Sequence, residues 1–377
     1  MQIAFTGLQA QGKRLRREID ARVGRVLDHG KFIMGPEVFE LERRLAEFCD
    51  ACEAITVANG TDALQIVLMA AGIGLGDAVL IPSFTFTATA EVVLLLGARP
   101  VFVDVDGASF NMDCADLERR IESERRKGAS VKAVIAVDLF GSPADWPRLN
   151  DIARRHGLLL IADVAQSFGG ALHGKCVGAL APVTTTSFFP AKPLGCFCDG
   201  GAIFTDDAAL AACMRSVRVH GQGAEKYETA RVGVNSWLDT LQAAILLVKI
   251  EVLEDEIARR HQIAQEYTRR LADIVETPVA PVGHRSAWAQ YTIKSDRRAP
   301  LQQALRDAGI ATAVFYPKPM HLQPAYAAFG GGGGSLPVSE MLSEKVLSLP
   351  FNAYASDKEV DYVCAAVRAA SPIRASI

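Results

Sequence analysis

Two residues in the middle of the sequence combine a charge with apolar surroundings. Asp163 ends the apolar run LLLIAD, and a carboxylate at the end of a buried strand is costly unless a cation or several hydrogen-bond donors meet it. Lys192 lies in SFFPAKPLG, where the apolar neighbours should desolvate the ammonium and lower its pKa. Such a lysine can form a Schiff base, although an ordinary exposed loop lysine would explain the segment equally well.

A possible anion site follows an earlier apolar run. In EAITVANGTD, Gly60 and Thr61 come directly after a predicted strand and open a helical segment. Glycine lets a ligand approach the backbone, and the free amide groups at a helix N-terminus favour a phosphate. An ordinary helix cap accounts for the same residues, so the pattern alone leaves both interpretations open.

One cofactor explains these features together. Pyridoxal phosphate needs an anion cradle, a carboxylate at its pyridinium nitrogen, a lysine for covalent attachment and an aromatic plane over its ring. The candidates for these roles, in that order, are Gly60 with Thr61, Asp163, Lys192, and Phe86 in PSFTFTATA. The protonated ring nitrogen would also give Asp163 the cationic partner that a buried carboxylate requires.

The elements that must position these residues alternate between strands and helices. Almost entirely apolar runs, separated by helix-length segments, cover residues 53–58, 78–82, 99–105, 131–137 and 158–163. This alternation predicts an α/β fold with a mostly parallel sheet between two layers of helices, in which ligands bind beyond the carboxyl ends of the strands.

The remaining segments suggest how the chain is divided. The amphipathic patterns LRREIDARVGRVL and PEVFELERRLAEF predict two helices before the sheet, and residues 236–274 read as one long helix or a broken pair. We therefore predict a large domain over residues 1–240 and a smaller C-terminal α+β domain over residues 241–377. The glycines at 330–334 predict a flexible surface loop without a chemical role.

Composition limits the classes of function. The 377 residues carry 40 Lys+Arg against 43 Asp+Glu, so there is no basic excess to favour nucleic acid as a partner. No stretch approaches the about 18 consecutive apolar residues of a membrane span, and the first twenty residues do not resemble a signal peptide. We expect a cytoplasmic protein with neither a membrane nor a nucleic-acid partner.

The cysteines do not predict a metal or disulfide framework. Eight cysteines in 377 residues are too sparse for a disulfide scaffold, and they are expected to be reduced thiols. Cys49 and Cys52 form a C-x-x-C, but zinc would need a second pair of ligands. We expect no metal site.

Several longer strings resemble one enzyme family. They are ANGTDALQIVLMAAG, PSFTFTATAEVVLLLGARPVFVDVD, DVAQSFGG, TSFFPAKPLGCFCDGGAIFTDD and RVGVNSWLDTLQAAIL. Together they are similar to the DegT/StrS family of nucleotide-sugar aminotransferases, and the resemblance extends over about residues 3–370. It implies a fold-type I pyridoxal-phosphate-dependent transferase that forms a homodimer with active sites shared between the subunits.

The resemblance also implies an activity. It implies transamination of a keto nucleotide sugar, with UDP-2-acetamido-2-deoxy-3-oxo-glucuronate as the first candidate and L-glutamate as amino donor, in the synthesis of surface polysaccharide such as lipopolysaccharide O-antigen. A 4-oxo or dTDP-linked sugar is the alternative within the family. A sugar dehydratase would have histidine in place of Lys192, and a non-catalytic regulator would not need the full set of cofactor residues.

Residue roles follow from the resemblance position by position. It implies that Lys192 carries the cofactor, that Asp163 contacts the ring nitrogen and that Gln166 approaches the ring hydroxyl. The remaining cofactor contacts that it implies are Phe86 on the ring, Gly60, Thr61 and Ser187 on the phosphate, and Asn235 from the neighbouring subunit. The implied nucleotide-sugar contacts are Arg231, Tyr316 and His321.

Three positions depart from the pattern of the family. Ala162 stands where many relatives have glutamate, Cys198 replaces a glycine, and Trp237 stands where close relatives often have arginine. Because the lysine, the aspartate and the phosphate cradle are intact, we expect these changes to affect the substrate more than the chemistry.

Overall fold

A seven-stranded sheet lies at the centre of the protein in the computed structural model, which describes residues 1–225 and 227–371. The strands, in chain order, are β1 (Glu53–Val57), β2 (Asp77–Pro82), β3 (Arg99–Val103), β4 (Ser130–Val137), β5 (Leu159–Asp163), β6 (Ala171–Leu172), β7 (Lys175–Cys176), β8 (Val183–Ser187), β9 (Gly201–Thr205), β10 (His284–Arg285), β11 (Tyr291–Lys294) and β12 (Val346–Leu349).

The helices surround this sheet and form much of the C-terminal part. In chain order they are α1 (Leu8–His29), α2 (Pro36–Cys49), α3 (Gly60–Ala70), α4 (Ala88–Leu95), α5 (Cys114–Arg126), α6 (Trp146–His156), α7 (Ala208–Arg218), α8 (Thr240–Lys249), α9 (Leu253–Leu271), α10 (Arg298–Asp307), α11 (Pro337–Lys345) and α12 (Asp357–Ala370).

The central sheet has the order β1-β9-β8-β5-β4-β2-β3. All neighbouring strands from β8 to β3 are parallel, and β9 is antiparallel to both of its neighbours. The five apolar runs coincide with β1 to β5, so the prediction of a mostly parallel sheet is confirmed. Small sheets with the orders β10-β6-β7 and β11-β12 lie outside it.

The sheet is apolar on both faces because helices cover both. In β4, Val134 and Ala136 belong to one buried cluster, while Ala133 and Ile135 belong to the other. Consecutive residues of a strand point to opposite faces, so one strand supplies both clusters. Residues of α2, α5, α6 and α8 complete the first cluster, and residues of α3, α4 and α7 complete the second.

Of the two predicted alternatives for residues 236–274, one long helix or a broken pair, the structure shows a pair of helices, α8 and α9. A short 3-10 turn, Ile250–Val252, separates α8 from α9. Helix α8 is buried along nearly its whole length and packs against α1 and α2, so it supports the sheet. Helix α9 continues toward the C-terminal part, where Tyr267 and Leu271 enter a third cluster.

The C-terminal part has its own apolar cluster, built on α9, α10, α12 and the β11-β12 sheet. Ile3 also belongs to it and forms a parallel bridge with Ile310, so the first residues of the chain pack with this part. The domain boundary at residue 240 stays a prediction, and residues 372–377 of the predicted small domain lie outside the described residues.

Three further findings concern the described residues alone. No helix in them is long and apolar enough to cross a bilayer. They contain no group of three or more His, Cys, Asp or Glu side chains arranged to hold a metal ion. The cysteines are all free thiols.

Candidate active site

The carboxyl ends of β5 and β8 bring predicted site residues to one edge of the sheet. Asp163 is the last residue of β5 and Ser187 the last of β8, and the two strands are parallel neighbours. Gly60, at the start of α3, lies so close to Ser187 that a Cβ atom at position 60 would be 2.6 Å from the Ser187 Cβ. The close approach requires glycine, because any side chain would displace Ser187.

The N-terminus of α3 provides amide groups for an anion. The Asn59 side chain caps the helix by accepting a hydrogen bond from the Asp62 amide at 2.8 Å. The cap does not use the amides of Gly60 and Thr61, which lie at the positive end of the helix dipole. With the Ser187 hydroxyl beside them, these amides form a cradle of the kind that binds a phosphate.

Asp163 and Lys192 influence each other electrostatically. Both residues are half-buried. Burial raises the pKa of the Asp163 carboxyl group, while a hydrogen bond from the Ala165 amide at 3.0 Å and the charge of Lys192 oppose the rise. Burial lowers the pKa of the Lys192 ammonium, and the charge of Asp163 opposes that change. The prediction that the apolar surroundings of Lys192 desolvate it agrees with this direction.

Side chains of α8 hydrogen-bond to the backbone of the loop that carries Lys192. The Lys192 amide donates to the Phe189 carbonyl at 2.9 Å, which closes a turn. Lys249 Nζ donates to the Gly195 carbonyl at 2.6 Å, and Gln242 Oε1 accepts from the amide of Phe197 at 3.0 Å. The two contacts with α8 hold the loop on the C-terminal side of Lys192 and leave the Lys192 side chain outside the network.

Sequence reasoning did not single out Lys249 or Gln242. They are seven residues apart on one face of α8 and interrupt the otherwise apolar pattern TLQAAILLVK. That interruption is the signal that could have identified them.

Gln166 and Tyr316 meet beside Asp163. Gln166 is buried, and its Oε1 accepts a hydrogen bond from the Phe140 amide at 2.9 Å. Burial raises the pKa of the Tyr316 hydroxyl, the charge of Asp163 raises it further, and a hydrogen bond from Gln166 lowers it. The Tyr316 ring also lies 6.4 Å from the ring of Phe86, which is 53% exposed and therefore available to a ligand.

His321 is buried, with both ring nitrogens bonded inside the protein. Nδ1 lies 2.6 Å from Ser83 Oγ, and Nε2 lies 3.1 Å from Glu340 Oε1. A Cβ atom at Gly330 would be 2.0 Å from the His321 carbonyl oxygen, so the glycine run begins against this histidine. These contacts connect the end of β2 to α11, and the contact of His321 with a sugar stays a prediction.

Arg231 and Asn235 lie apart from this group. Both are exposed in the segment between α7 and α8, where Asn235 forms a bridge with Val219. Within residues 1–225 and 227–371, no hydrogen bond or ion pair joins either side chain to Asp163 or Lys192. The structure therefore brings together Gly60, Thr61, Phe86, Asp163, Gln166, Ser187, Lys192 and Tyr316.

Comparison with known proteins identifies close relatives of the chain. Residues 13–368 match the DegT/DnrJ/EryC1/StrS aminotransferase family. The chain is 48% identical over 366 residues to the UDP-2-acetamido-2-deoxy-3-oxo-D-glucuronate aminotransferase of Pseudomonas aeruginosa, which covers 97% of this chain and 99% of the relative.

Solved structures give the same result. The crystal structure of a DegT DnrJ EryC1 StrS aminotransferase from Brucella abortus matches with a TM-score of 0.96 at 48% identity, covering 98% of this chain and 99% of that one. The structure of NtdA from Bacillus subtilis with bound cofactor PMP matches with a TM-score of 0.85 at 30% identity, covering 93% and 80% of the two chains.

Proposed function

We propose that this chain, which belongs to the DegT/DnrJ/EryC1/StrS aminotransferase family and is a pyridoxal-phosphate-dependent aminotransferase, transfers an amino group to UDP-2-acetamido-2-deoxy-3-oxo-glucuronate. The observation that carries this proposal is the half-buried pair of Asp163 and Lys192 beside the cradle at α3. The Pseudomonas aeruginosa relative, similar along almost its whole length, supports the choice of sugar.

The residues at the sheet edge suit the cofactor. Gly60, Thr61 and Ser187 would hold the phosphate, because two backbone amides and a hydroxyl converge where a glycine leaves room. Asp163 would accept a hydrogen bond from the protonated ring nitrogen, and its negative charge would keep that nitrogen protonated. Phe86 would lie over the ring.

Gln166 is oriented by its hydrogen bond with the Phe140 amide. Gln166 would donate to the ring hydroxyl from its amide nitrogen, because its oxygen is already bonded to the Phe140 amide. When bound, pyridoxal phosphate supplies the carbonyl group that carries nitrogen between the two substrates and a ring that takes up electrons.

Lys192 would act as the attachment residue and as the acid and base. Because burial lowers its pKa, a larger fraction of its side chain is the neutral amine at neutral pH. The neutral amine attacks a carbonyl group and accepts a proton, and the ammonium returns that proton to a neighbouring atom. The charge of Asp163 opposes this decrease of the pKa.

A second copy of the chain would complete the site. Phe189 and Phe197, which flank the Lys192 loop, are 52% and 49% exposed. Exposed aromatic side chains around a functional loop favour a partner surface, and homo-oligomers most often pair about a two-fold axis. We propose a homodimer in which Asn235 reaches the neighbouring cofactor, while Arg231, Tyr316 and His321 contribute to binding of the nucleotide sugar.

The physiological setting is part of the same proposal. We propose L-glutamate as the amino donor and a role in surface-polysaccharide synthesis, such as lipopolysaccharide O-antigen, because the amino-sugar product is a building block. The free cysteines support a cytoplasmic location, since thiols persist in reducing compartments.

A panel of substrates tests this function. The protein loaded with pyridoxal phosphate is given L-glutamate and 3-oxo or 4-oxo sugars linked to UDP or dTDP, and release of 2-oxoglutarate is measured. We expect turnover with the UDP-linked 3-oxo uronate and ping-pong kinetics. Turnover on a 4-oxo hexose without turnover on the 3-oxo uronate would overturn the choice of sugar. Borohydride reduction followed by peptide mapping should label Lys192.

A further inference from the structure

A cavity beside Lys192 contains charged residues that the proposed chemistry does not use. Its volume is about 170 Å³, and it lies between the N-terminal residues 5–8, the loop residues 190–192, helix α9 and the C-terminal residues 351–354. A water molecule occupies about 30 Å³ in the liquid, so the cavity has room for several waters or for a small organic group. Arg260 and Glu256 of α9 both line it.

Arg260 lacks a hydrogen-bonded anion. Its Nε atom is buried and has no hydrogen-bond partner. Among the residues that the structure describes, Arg260 forms no ion pair. Burial lowers the pKa of the guanidinium, and the charge of nearby Glu256 opposes this. Arg260 as a whole is half-buried, and a guanidinium whose buried N–H group has no acceptor is costly, which indicates that a partner is missing.

Glu256 is not that partner, because other donors already occupy its carboxylate. Gln11 Nε2 donates to both of its oxygens, at 2.9 and 3.0 Å, and the Tyr354 hydroxyl donates to Oε1. The carboxylate is therefore satisfied independently of Arg260.

A second polar atom at the cavity is also without a partner. Gln290 Oε1 is buried and accepts no hydrogen bond, and Gln290 lines the same cavity. Arg260 and Gln290 both line the cavity that reaches Lys192, and Gln290 also lines a neighbouring pocket. Their chemistry complements a ligand that carries a carboxylate together with an N–H or O–H group.

We propose that this cavity binds a carboxylate group of a substrate and that Arg260 is the residue that binds it. A guanidinium group offers paired donors that match a carboxylate, and charge-assisted bonds of this type are strong. The inference rests on the proposed function, because the amino donor L-glutamate and the uronate sugar both carry a carboxylate. Next to Lys192, either carboxylate would orient its substrate toward the attachment residue.

Binding of a dicarboxylate without an amino group isolates this site from catalysis. Glutarate is titrated into the cofactor-loaded wild-type protein and the R260M, R260K and R259M variants by calorimetry. R260M should weaken binding about 10- to 100-fold, the range for one hydrogen-bonded charge, and R260K should fall between. R259M is the matched control, because Arg259 pairs with Asp357 at 2.9 Å instead of lining the cavity, and its affinity should be unchanged.

The two half-reactions distinguish the source of the carboxylate. If it belongs to glutamate, R260M raises the glutamate concentration needed for the first half-reaction and leaves the sugar half-reaction intact. If it belongs to the uronate, glutarate affinity is unchanged and only the sugar half-reaction needs a higher concentration. Unchanged behaviour in glutarate binding and in both half-reactions overturns the proposal.

A second variant, expected to tighten binding where R260M weakens it, keeps the proposal testable if R260M does not fold. E256Q keeps the guanidinium and removes the nearby negative charge, so it should tighten binding of the same carboxylate about 3- to 10-fold. Unchanged or weaker binding in folded E256Q counts against the site. If wild-type protein fails to release 2-oxoglutarate with any sugar, the proposed function is wrong, whereas a failure confined to these variants contradicts only the cavity.

Discussion

Lys192 lies in the loop after β8, and Lys249 of α8 contacts the same loop. Both lysines are desolvated, but they differ in the hydrogen bonds of their ammonium groups. Burial lowers the pKa of both, and for Lys249 to about 8. Lys249 donates to the Gly195 carbonyl at 2.6 Å and lies 4.7 Å from the centre of the Phe197 ring. Among the described residues, no hydrogen bond fixes Lys192 Nζ. Burial alone therefore does not make an amine available for chemistry, because Lys249 is committed to a backbone acceptor.

Two aspartates at neighbouring strand ends show the same contrast. Asp138, after β4, accepts hydrogen bonds from the Ala144 amide at 2.7 Å, the Trp146 indole at 3.1 Å and the Ser167 hydroxyl at 2.7 Å. Even so, burial raises its pKa to about 7. Asp163 accepts one hydrogen bond, from the Ala165 amide. Asp138 binds the Ala144 amide and the side chains of Trp146 and Ser167, whereas Asp163 keeps acceptor capacity for a ligand.

The largest expected effect comes from removing the Lys192 amine, which has no hydrogen bond among the described residues. K192A should reduce 2-oxoglutarate release by about 10⁴-fold, because it removes the side chain that we propose attaches the cofactor and moves the proton. The measurement is steady-state turnover with glutamate and the 3-oxo sugar. Retention of more than a few per cent of the activity by K192A would assign the chemistry to another residue.

The second-largest effect is a difference in turnover between variants of Asp163 and Asp138. D163N should lower turnover about 10²- to 10³-fold, because an amide cannot maintain the positive charge of the ring nitrogen. D138N is the matched control, since a group with a pKa of about 7 is already partly neutral at neutral pH and an amide resembles its protonated form. Equal losses of turnover in the two variants would show that the contrast between the aspartates has no functional meaning.

The sequence predicted the parts of this site that depend on strand ends. The apolar runs identified β1 to β5, and the residues that follow them included Gly60, Phe86 and Asp163. Parallel strands present their carboxyl ends at one edge, so local pattern was enough to bring these residues together. The predicted family is confirmed by the match over residues 13–368.

Contacts between distant helices and loops could not be predicted in the same way. An amphipathic pattern shows which face of a helix is buried but not which loop it meets, so the contact of Lys249 with Gly195 was missed. The pattern over residues 236–274 predicted helix but did not single out Arg260. His321 bonds to Ser83, 238 residues earlier in the chain, and such a contact depends on the tertiary fold.

Lys249 also predicts a dependence of stability on pH. Its pKa is lowered from 10.5 to about 8 in the folded protein, so between these values the unfolded chain binds more protons. The free energy of unfolding of wild type relative to K249M should therefore rise from pH 8 to pH 10, by at most about 3 kcal/mol. Chemical denaturation of both proteins at the two pH values measures it. Parallel changes in the two proteins would show that Lys249 does not titrate in this range.

The smallest expected effect tests whether Lys249 positions the loop that carries Lys192. K249M should lower turnover about 10-fold, because losing the charge-assisted bond to Gly195, worth about 1.5 kcal/mol at the low end, loosens the Lys192 loop. K249R should recover part of the loss, since a guanidinium can donate to the same carbonyl, and K358M on the exposed face of α12 is the matched control. A general loss of stability would leave the properties of Lys192 unchanged in the folded fraction. A positioning role would instead shift the pH midpoint of the visible absorbance of the cofactor-loaded protein, because the environment of Lys192 depends on where the loop holds it.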